Sequence, residues 1–456
     1  MRLNRTKLGI ALALFLAACG GDRTPPDSDC TPRDYLVSDA VHPFTATYGG
    51  HCTGLYFRDV YESVFRSLGD EVYLQGTPDG KSYGVWASDG TPTGTRRLAG
   101  STSYEAGGDV PFVRELLPGS GGTFFFMDTR CYFPNQPPVP PATPLWWSPG
   151  HDAVELVLGD RHVRSVTRAG ETVYFTADSP VSPASLWAVP VAGRPAREVA
   201  RFSVLSNLTP AATRGVVFFA DSQPWLSDGS SAGTYDLGAG CDSVSSELVV
   251  VGAKAYFVCP NDRKLWASDF SSRSSKPVPG APIAPIARTW GLAEFGGRLA
   301  FFHQTTWGTS VVELWMSDGK EGGTRRLASL GLPQREIPAT SLVVGNLLYF
   351  FVDDALWRTD GTSEGTRSVA QLPPKDATYG HRGPRALAEV GGALYVLAND
   401  AELWQVDAVG ARRLILDSRI SSISAMAAGR SRLFYGARDS EESSLPMLRA
   451  WGCPAS

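Results

Sequence analysis

Three features predict an all-β fold, a single closed β-propeller of about eight or nine four-stranded blades. They are a Trp recurring at near-regular spacing, an apolar-aromatic run ahead of each Trp, and an Asp- and Gly-bearing turn behind most of them. The series Trp86, Trp146, Trp187, Trp225, Trp266, Trp315, Trp357 and Trp404 advances in steps of 38 to 60 residues. A period of about 20–50 residues marks a repeat array, in which one unit cannot bury its own faces and must stack on its neighbours. The composition agrees: 11% of residues are aromatic, which argues against disorder, and 48 Gly with 33 Pro supply turns.

Each unit divides into four short strands. The first is an apolar segment ending at Gly, as in LVVVGAK, LAEFGGR, LVVGNL and LAEVGGA, whose GG, GN and AK pairs suit tight hairpin turns. The second is the apolar-aromatic run: EVYLQG (71–76), TFFFMD (123–128), TVYFTA (172–177), VVFFAD (216–221), AYFVC (255–259), LAFFH (299–303), LLYFFV (347–352) and ALYVLA (393–398). These runs are apolar on both faces, as a strand sandwiched between neighbouring blades requires. The third strand carries Leu-Trp, a large flat side chain suited to the wedge between blades. The fourth alternates polar and apolar residues in TRRL and TRSV, as an outer strand with one wet face should.

A ninth apolar-aromatic run, RLFYGA (432–437), leads only to a degraded SLPMLRAW and has no clear fourth strand. A strand from 31–58, with TGLYFRD the candidate, is expected to complete that last blade and close the ring.

Between third and fourth strands lie SDGTPTGTRRL (88–98), SDGSSAGTYDL (227–237), SDGKEGGTRRL (317–327) and TDGTSEGTRSV (359–369). With the Leu-Trp ahead of them, these segments resemble the ELWxxDGT repeat family, found in secreted and lipid-anchored proteins of Gram-negative bacteria, notably myxobacteria. Asp89, Asp228, Asp269, Asp318, Asp360 and Asp407 fill the motif's Asp position, while Pro149 and Pro190 stand there in the Trp146 and Trp187 copies. The resemblance spans about 60–450 and implies a repeat architecture without assigned chemistry. The residues read the same way: an Asp carboxylate at a turn accepts backbone N–H groups, and one or two carboxylates per copy fall short of a calcium loop.

The N-terminus reads as an address. Arg2, Arg5 and Lys7 precede an apolar run from Leu8 to Ala18, too short to span a bilayer and the right size for a signal-peptide core. It ends in Leu16-Ala17-Ala18-Cys19, which resembles a lipobox. Residues 1–18 are thus expected to be a lipoprotein signal peptide, with Cys19 lipidated (diacylglycerol plus a fatty acyl chain such as palmitate) and 19–30 a flexible tether. The propeller domain is expected over 31–456. Gly20, rather than Asp, after the Cys points to the outer membrane of a Gram-negative cell envelope.

Six cysteines follow Cys19. An exported chain permits disulfides, and Cys241 and Cys259, one before each of two neighbouring strands, are the best-placed pair; Cys453 with Cys30 or Cys52 is a second candidate pairing. No CxxC or HExxH is present, and GKSYG, GSSAG and GTSEG match a nucleophile elbow only in outline, since they fall on turns between strands. No catalytic, cofactor-binding or metal residue is assigned. Net charge is −4, which offers nothing to nucleic acid. The Arg pairs Arg96-Arg97, Arg325-Arg326 and Arg412-Arg413 read as solvated outer edges or as a basic stripe for lipid headgroups or glycans.

The function expected is a lipid-anchored envelope propeller acting as a non-catalytic binding or scaffolding module, with an envelope protein or a glycan as partner. The alternatives are a propeller enzyme of the lactonase, glycan lyase or quinoprotein type, working at the central funnel, and an outer-membrane assembly factor.

Overall fold

The computed structural model describes residues between 31 and 453, interrupted by stretches of which 44–64, 129–142 and 374–385 are the longest. Its strands form nine antiparallel sheets, each a blade built around four strands. We number the blades 1–9 along the chain and label their strands a to d from the axis outward. The a strands are Phe65–Leu68, Phe112–Gly119, His162–Ala169, Leu205–Pro210, Leu248–Val251, Arg288–Phe295, Ser341–Val344, Ala386–Val390 and Ile420–Ala428. Each packs beside the a strand of the next blade, and that of blade 9 packs beside that of blade 1, so the ring is closed. Among the described residues there is one short 3-10 turn, Ala212–Arg214, and no helix long and apolar enough to cross a membrane.

The closing strand is Arg33–Ser38, which pairs antiparallel with Met447–Gly452 as strand d of blade 9. The N-terminal segment therefore closes the ring, but through RDYLVS; TGLYFRD lies outside the described residues. Blade 1 has a composite inner edge. Phe65–Leu68 covers the first half of its strand b, Glu71–Thr77, and His42–Pro43 covers the last residues, Gly76 and Thr77.

Packing follows the repeat. Among the described residues, nine buried apolar clusters occur, one at each joint between adjacent blades. Each joint sets the alternating residues of two strands b face to face, which is why these runs lack a polar side. At the blade 6–7 joint, Ala300 and Phe302 meet Leu348, Phe350 and Val352. Eight of the nine joints are flanked by the motif Trp of the following blade, and Trp451 serves the blade 8–9 joint. The indoles lie over their own blade, stacked on the facing strand b ring in Phe175–Trp187, Phe301–Trp315 and Phe350–Trp357. The wedge position expected for Trp is the one observed.

Register explains the rest of the Glu-Leu-Trp signature. Glu313 accepts a hydrogen bond from Trp315 Nε1 at 3.0 Å and pairs with Arg326 on strand d at 2.6 Å. Glu402 does the same for Trp404 and Arg413, at 3.2 and 3.4 Å. In blade 7 this position is Ala355, and the buried Trp357 Nε1 has no partner. An unsatisfied buried donor costs about 1–3 kcal/mol. Ala355→Glu is therefore expected to raise stability by about 1 kcal/mol, read as a higher thermal midpoint. The same change made together with Trp357→Phe should give no gain.

Candidate functional site

The motif turns are self-contained. Asp89 Oδ1 accepts the Thr91 amide at 2.9 Å and its hydroxyl at 2.7 Å; Asp228 and Asp360 hold Ser230 and Thr362 in the same way. Asp269 holds Ser271, and Asp318 holds the Lys320 amide at 2.9 Å. These bonds, from the side chain first, keep the carboxyls of Asp228, Asp269 and Asp360 below the usual range. Asp407 closes a shorter turn onto Gly410. The hydroxyl before Asp89, Asp228, Asp318 and Asp360 is part of the same unit: Ser88 pairs with Thr95, Ser227 with Thr234, Ser317 with Thr324 and Thr359 with Thr366. The carboxylates are thus spent on their own loops. Trp86, Trp225, Trp266, Trp315, Trp357 and Trp404 lie at the joints, away from any shared site.

The outer-strand arginines are also engaged. Arg96 pairs with Glu71 at 2.7 Å, Arg412 bonds Gln405 at 2.7 Å, and Arg325 donates to Gly361 O at 2.9 Å. Ser231, at the centre of GSSAG, donates to Val199 O at 2.8 Å. Among the described residues no group of three or more His, Cys, Asp or Glu could hold a metal ion.

Among the described residues, polar groups from several blades converge on a cavity of about 610 Å³ against the inner strands of blades 3 to 6. Its wall is made where those strands lose their regular register. Blade 3 has a bulge between Val163 and Ser165, which sets Arg164 at the cavity. Blade 4 has one between Ser206 and Thr209, leaving Asn207 and Leu208 out of the ladder, with Asn207 at φ 58°. Blade 6 has one between Trp290 and Ala293, which frees Gly291 and Leu292. A bulge disrupts the ladder and re-aims side chains, and bulges concentrate beside functional sites. Glu247, just ahead of strand a of blade 5, accepts the Leu292 amide at 2.9 Å and so ties blades 5 and 6. Arg164 forks onto Asp178 with contacts of 3.1 and 3.3 Å. Ser165, Thr176 and Thr209 add hydroxyls, and Leu205, Leu208 and Val249 add apolar surface.

No protein-family model and no curated protein matches the sequence. Several solved structures are similar to the chain at low identity and with TM-scores below 0.5. The computationally designed Ika8 protein is 13% identical, with a TM-score of 0.46 over 76% of this chain and 98% of its own. A puromycin-hydrolysing peptidase of Mycobacterium tuberculosis is 13% identical, with a TM-score of 0.42 over 74% of this chain; the chain spans 59% of its length. Apo AztD from Citrobacter koseri is 13% identical, with a TM-score of 0.42 over 87% of this chain and 98% of its own.

None of the cavity residues lies in the Leu-Trp strand or the Asp-Gly turn; Thr176, Leu248, Val249 and Leu292 fall in the repeat's first two strands, and sequence reasoning did not mark any of them as a site. The signal was present in strand a: LSNLTP and TWGLAEF place Asn or Gly inside a run that reads LVVV in blade 5. Cys19 and Cys241 lie outside the described residues. Cys259 directly follows strand b of blade 5, Lys254–Val258, and is buried in the blade 4–5 joint. Of the histidines, His303 is 1% exposed, bonded through Nδ1 to Thr289 Oγ1 at 3.0 Å. Burial lowers its pKa, against the opposing charge of Glu313 across the ladder. A neutral buried His stabilises fully above its unfolded pKa of about 6.5, and that contribution is lost as pH falls toward the lower folded value. Thermal midpoints should therefore decline as pH falls below about 6.5 and decline less steeply in His303→Gln.

Proposed function

We propose that the protein is a lipid-anchored envelope propeller that binds a ligand without transforming it, at the cavity between the inner strands of blades 3 to 6. The observation that carries this reading is a cavity walled by the inner strands of four blades, three of them bulged there as the inner strands of blades 2 and 9 also are, while the repeat motif is consumed by turns and joints. Binding is favoured over turnover because both ionisable groups of the described wall are already committed. Arg164 is held by Asp178 and Glu247 holds a backbone amide, so neither is poised beside a nucleophile.

The anchor is part of the proposal. Lipidation at Cys19 would attach the membrane through a short tether to Arg33, the first residue of the outermost strand of blade 9, so the disc would hang from its rim. The Cys241–Cys259 disulfide belongs to it as well. What supports that pairing is that Cys259 is buried at the blade 4–5 joint and that Cys241 stands a few residues ahead of strand a of the same blade in sequence.

The test is crosslinking in intact envelopes followed by pull-down of the full chain and mass spectrometry. The expected result is an acyl mass on Cys19 and a partner or glycan whose crosslinks map to the cavity mouth. An unmodified Cys19 would remove the anchor. Recovery of a chemically altered small molecule after incubation would favour an enzyme.

A further inference from the structure

We infer that the cavity takes a neutral, hydroxyl-rich ligand, a short saccharide of uncharged sugars. This rests on the binding reading above and specifies its chemistry. Three ligand classes can be weighed against the wall. An extended peptide would add a strand to an inner edge, which requires an unbroken row of backbone groups. The bulges at Arg164, Asn207-Leu208 and Gly291-Leu292 break that row in three of the four strands present, and bulges are a device by which edges refuse a partner strand.

An anionic ligand would need a cation to meet it. Among the described residues of the wall the cation is Arg164, already forked onto Asp178. A phosphate or uronate would have to displace Asp178 from that guanidinium.

A neutral polyol meets neither obstacle. Bulged backbone and the Ser165 and Thr176 hydroxyls present donors and acceptors in several directions, and the Thr209 hydroxyl, which donates to Leu248 O at 3.3 Å, and the Glu247 carboxylate, which holds the Leu292 amide, add acceptors. That suits hydroxyls spread around a ring better than a linear chain of amides. Leu208 and Val249 offer apolar surface for the C–H faces of a sugar. A cavity of about 610 Å³ falls within the range of small-ligand sites, about 300–1,000 Å³.

The experiment is calorimetry on the full chain with maltotetraose, cellotetraose, mannotetraose and galactotetraose, backed by an array of neutral glycans. Tetragalacturonate, spermidine and a Ser-Thr-Val-Ser-Thr peptide serve as the anionic, cationic and peptide probes. Two variants report on the site. Asn207→Gly keeps the positive φ and deletes the amide; Glu247→Gln keeps an acceptor for the Leu292 amide and deletes the charge. Binding of a neutral saccharide that weakens about tenfold or more in each variant, with circular dichroism and thermal midpoint retained, is the expected result. Saccharide binding indifferent to both variants would overturn the site. Binding of the uronate, the polyamine or the peptide in place of sugars, sensitive to the same variants, would overturn the ligand class and leave the binding reading standing. No binding of any neutral glycan at about 1 mM overturns the inference. If envelope crosslinking also finds no partner, the binding reading falls with it.

Discussion

Arg449→Met is expected to destabilise blade 9 by about 3–5 kcal/mol, the usual cost of stripping one partner from a buried ion pair. Arg449 faces Tyr435 across the ladder, the position at which Trp357 faces Phe350 in blade 7. An arginine thus stands where the other blades carry the motif Trp, and the closing strand explains it. Asp34 of that strand takes two hydrogen bonds from the guanidinium, at 2.8 and 2.7 Å, and a third from Tyr435 Oη at 2.5 Å. It also accepts the Asp417 amide at 2.9 Å, which ties in the crossing from blade 8. The Arg449 and Asp34 side chains are 7% and 5% exposed. Burial works against the Arg449 charge, but Asp34 outweighs it and the pKa rises; burial and Asp34 together keep Tyr435 protonated well above the usual phenol range.

Removing the cation leaves Asp34 buried with its charge uncompensated, on the strand whose release opens the ring. Amide exchange across Met447–Gly452 and Arg33–Ser38 should accelerate before the rest of the propeller responds. The double variant Asp34→Leu with Arg449→Met removes both charges and should recover most of the loss. A single variant within about 1 kcal/mol of the parent, with unchanged exchange, would show that ladder hydrogen bonds alone hold the closure.

The contrast between blade 9 and its neighbours shows what a sequence reveals of such a fold. The joints are legible because one geometry is repeated: an apolar-aromatic strand b facing its neighbour imposes the same pattern each time, and Trp fills the same position. The closure is half legible. A missing fourth strand in RLFYGA-SLPMLRAW announces that one must come from elsewhere, and the N-terminal segment is the stretch left over. Which part of it supplies the strand is not legible, because TGLYFRD copies the apolar-aromatic signature of strand b. The strand used, RDYLVS, answers to a single charge match between Asp34 and Arg449, distant in sequence. The cavity is less legible still: Asn207 and Gly291 interrupt two inner-strand runs, but they do not say which residues leave the ladder. Bulges arise from register, and register is a property of two strands together.

The turn of blade 6 offers a second large effect, since its three glycines have three different reasons to be there. Gly322 sits at φ +73° in open space, so Gly322→Ala should cost only the left-handed backbone penalty, about 1–2 kcal/mol. Gly319 has the same φ, but a Cβ there would overlap the Tyr256 hydroxyl of blade 5. Gly319→Ala must strain the turn and push the neighbouring blade away, and about 3 kcal/mol or more is expected. Tyr256→Phe in the same chain should return part of that loss.

Gly323 has an ordinary φ, and its reason is the carboxylate: a Cβ would occupy the place of Asp318 Oδ1. Gly94, Gly233 and Gly365 stand in the same relation to Asp89, Asp228 and Asp360. The five-residue spacing of Asp and Gly in the motif is therefore one steric fact stated twice. Gly323→Ala evicts the carboxylate from the Lys320 amide, and Asp318→Ala removes it outright. The two changes attack the same bond, so the double variant should cost no more than Asp318→Ala alone, a coupling of about 1 kcal/mol by urea denaturation. Strict additivity would mean that Gly323 is needed for something other than the room it gives Asp318.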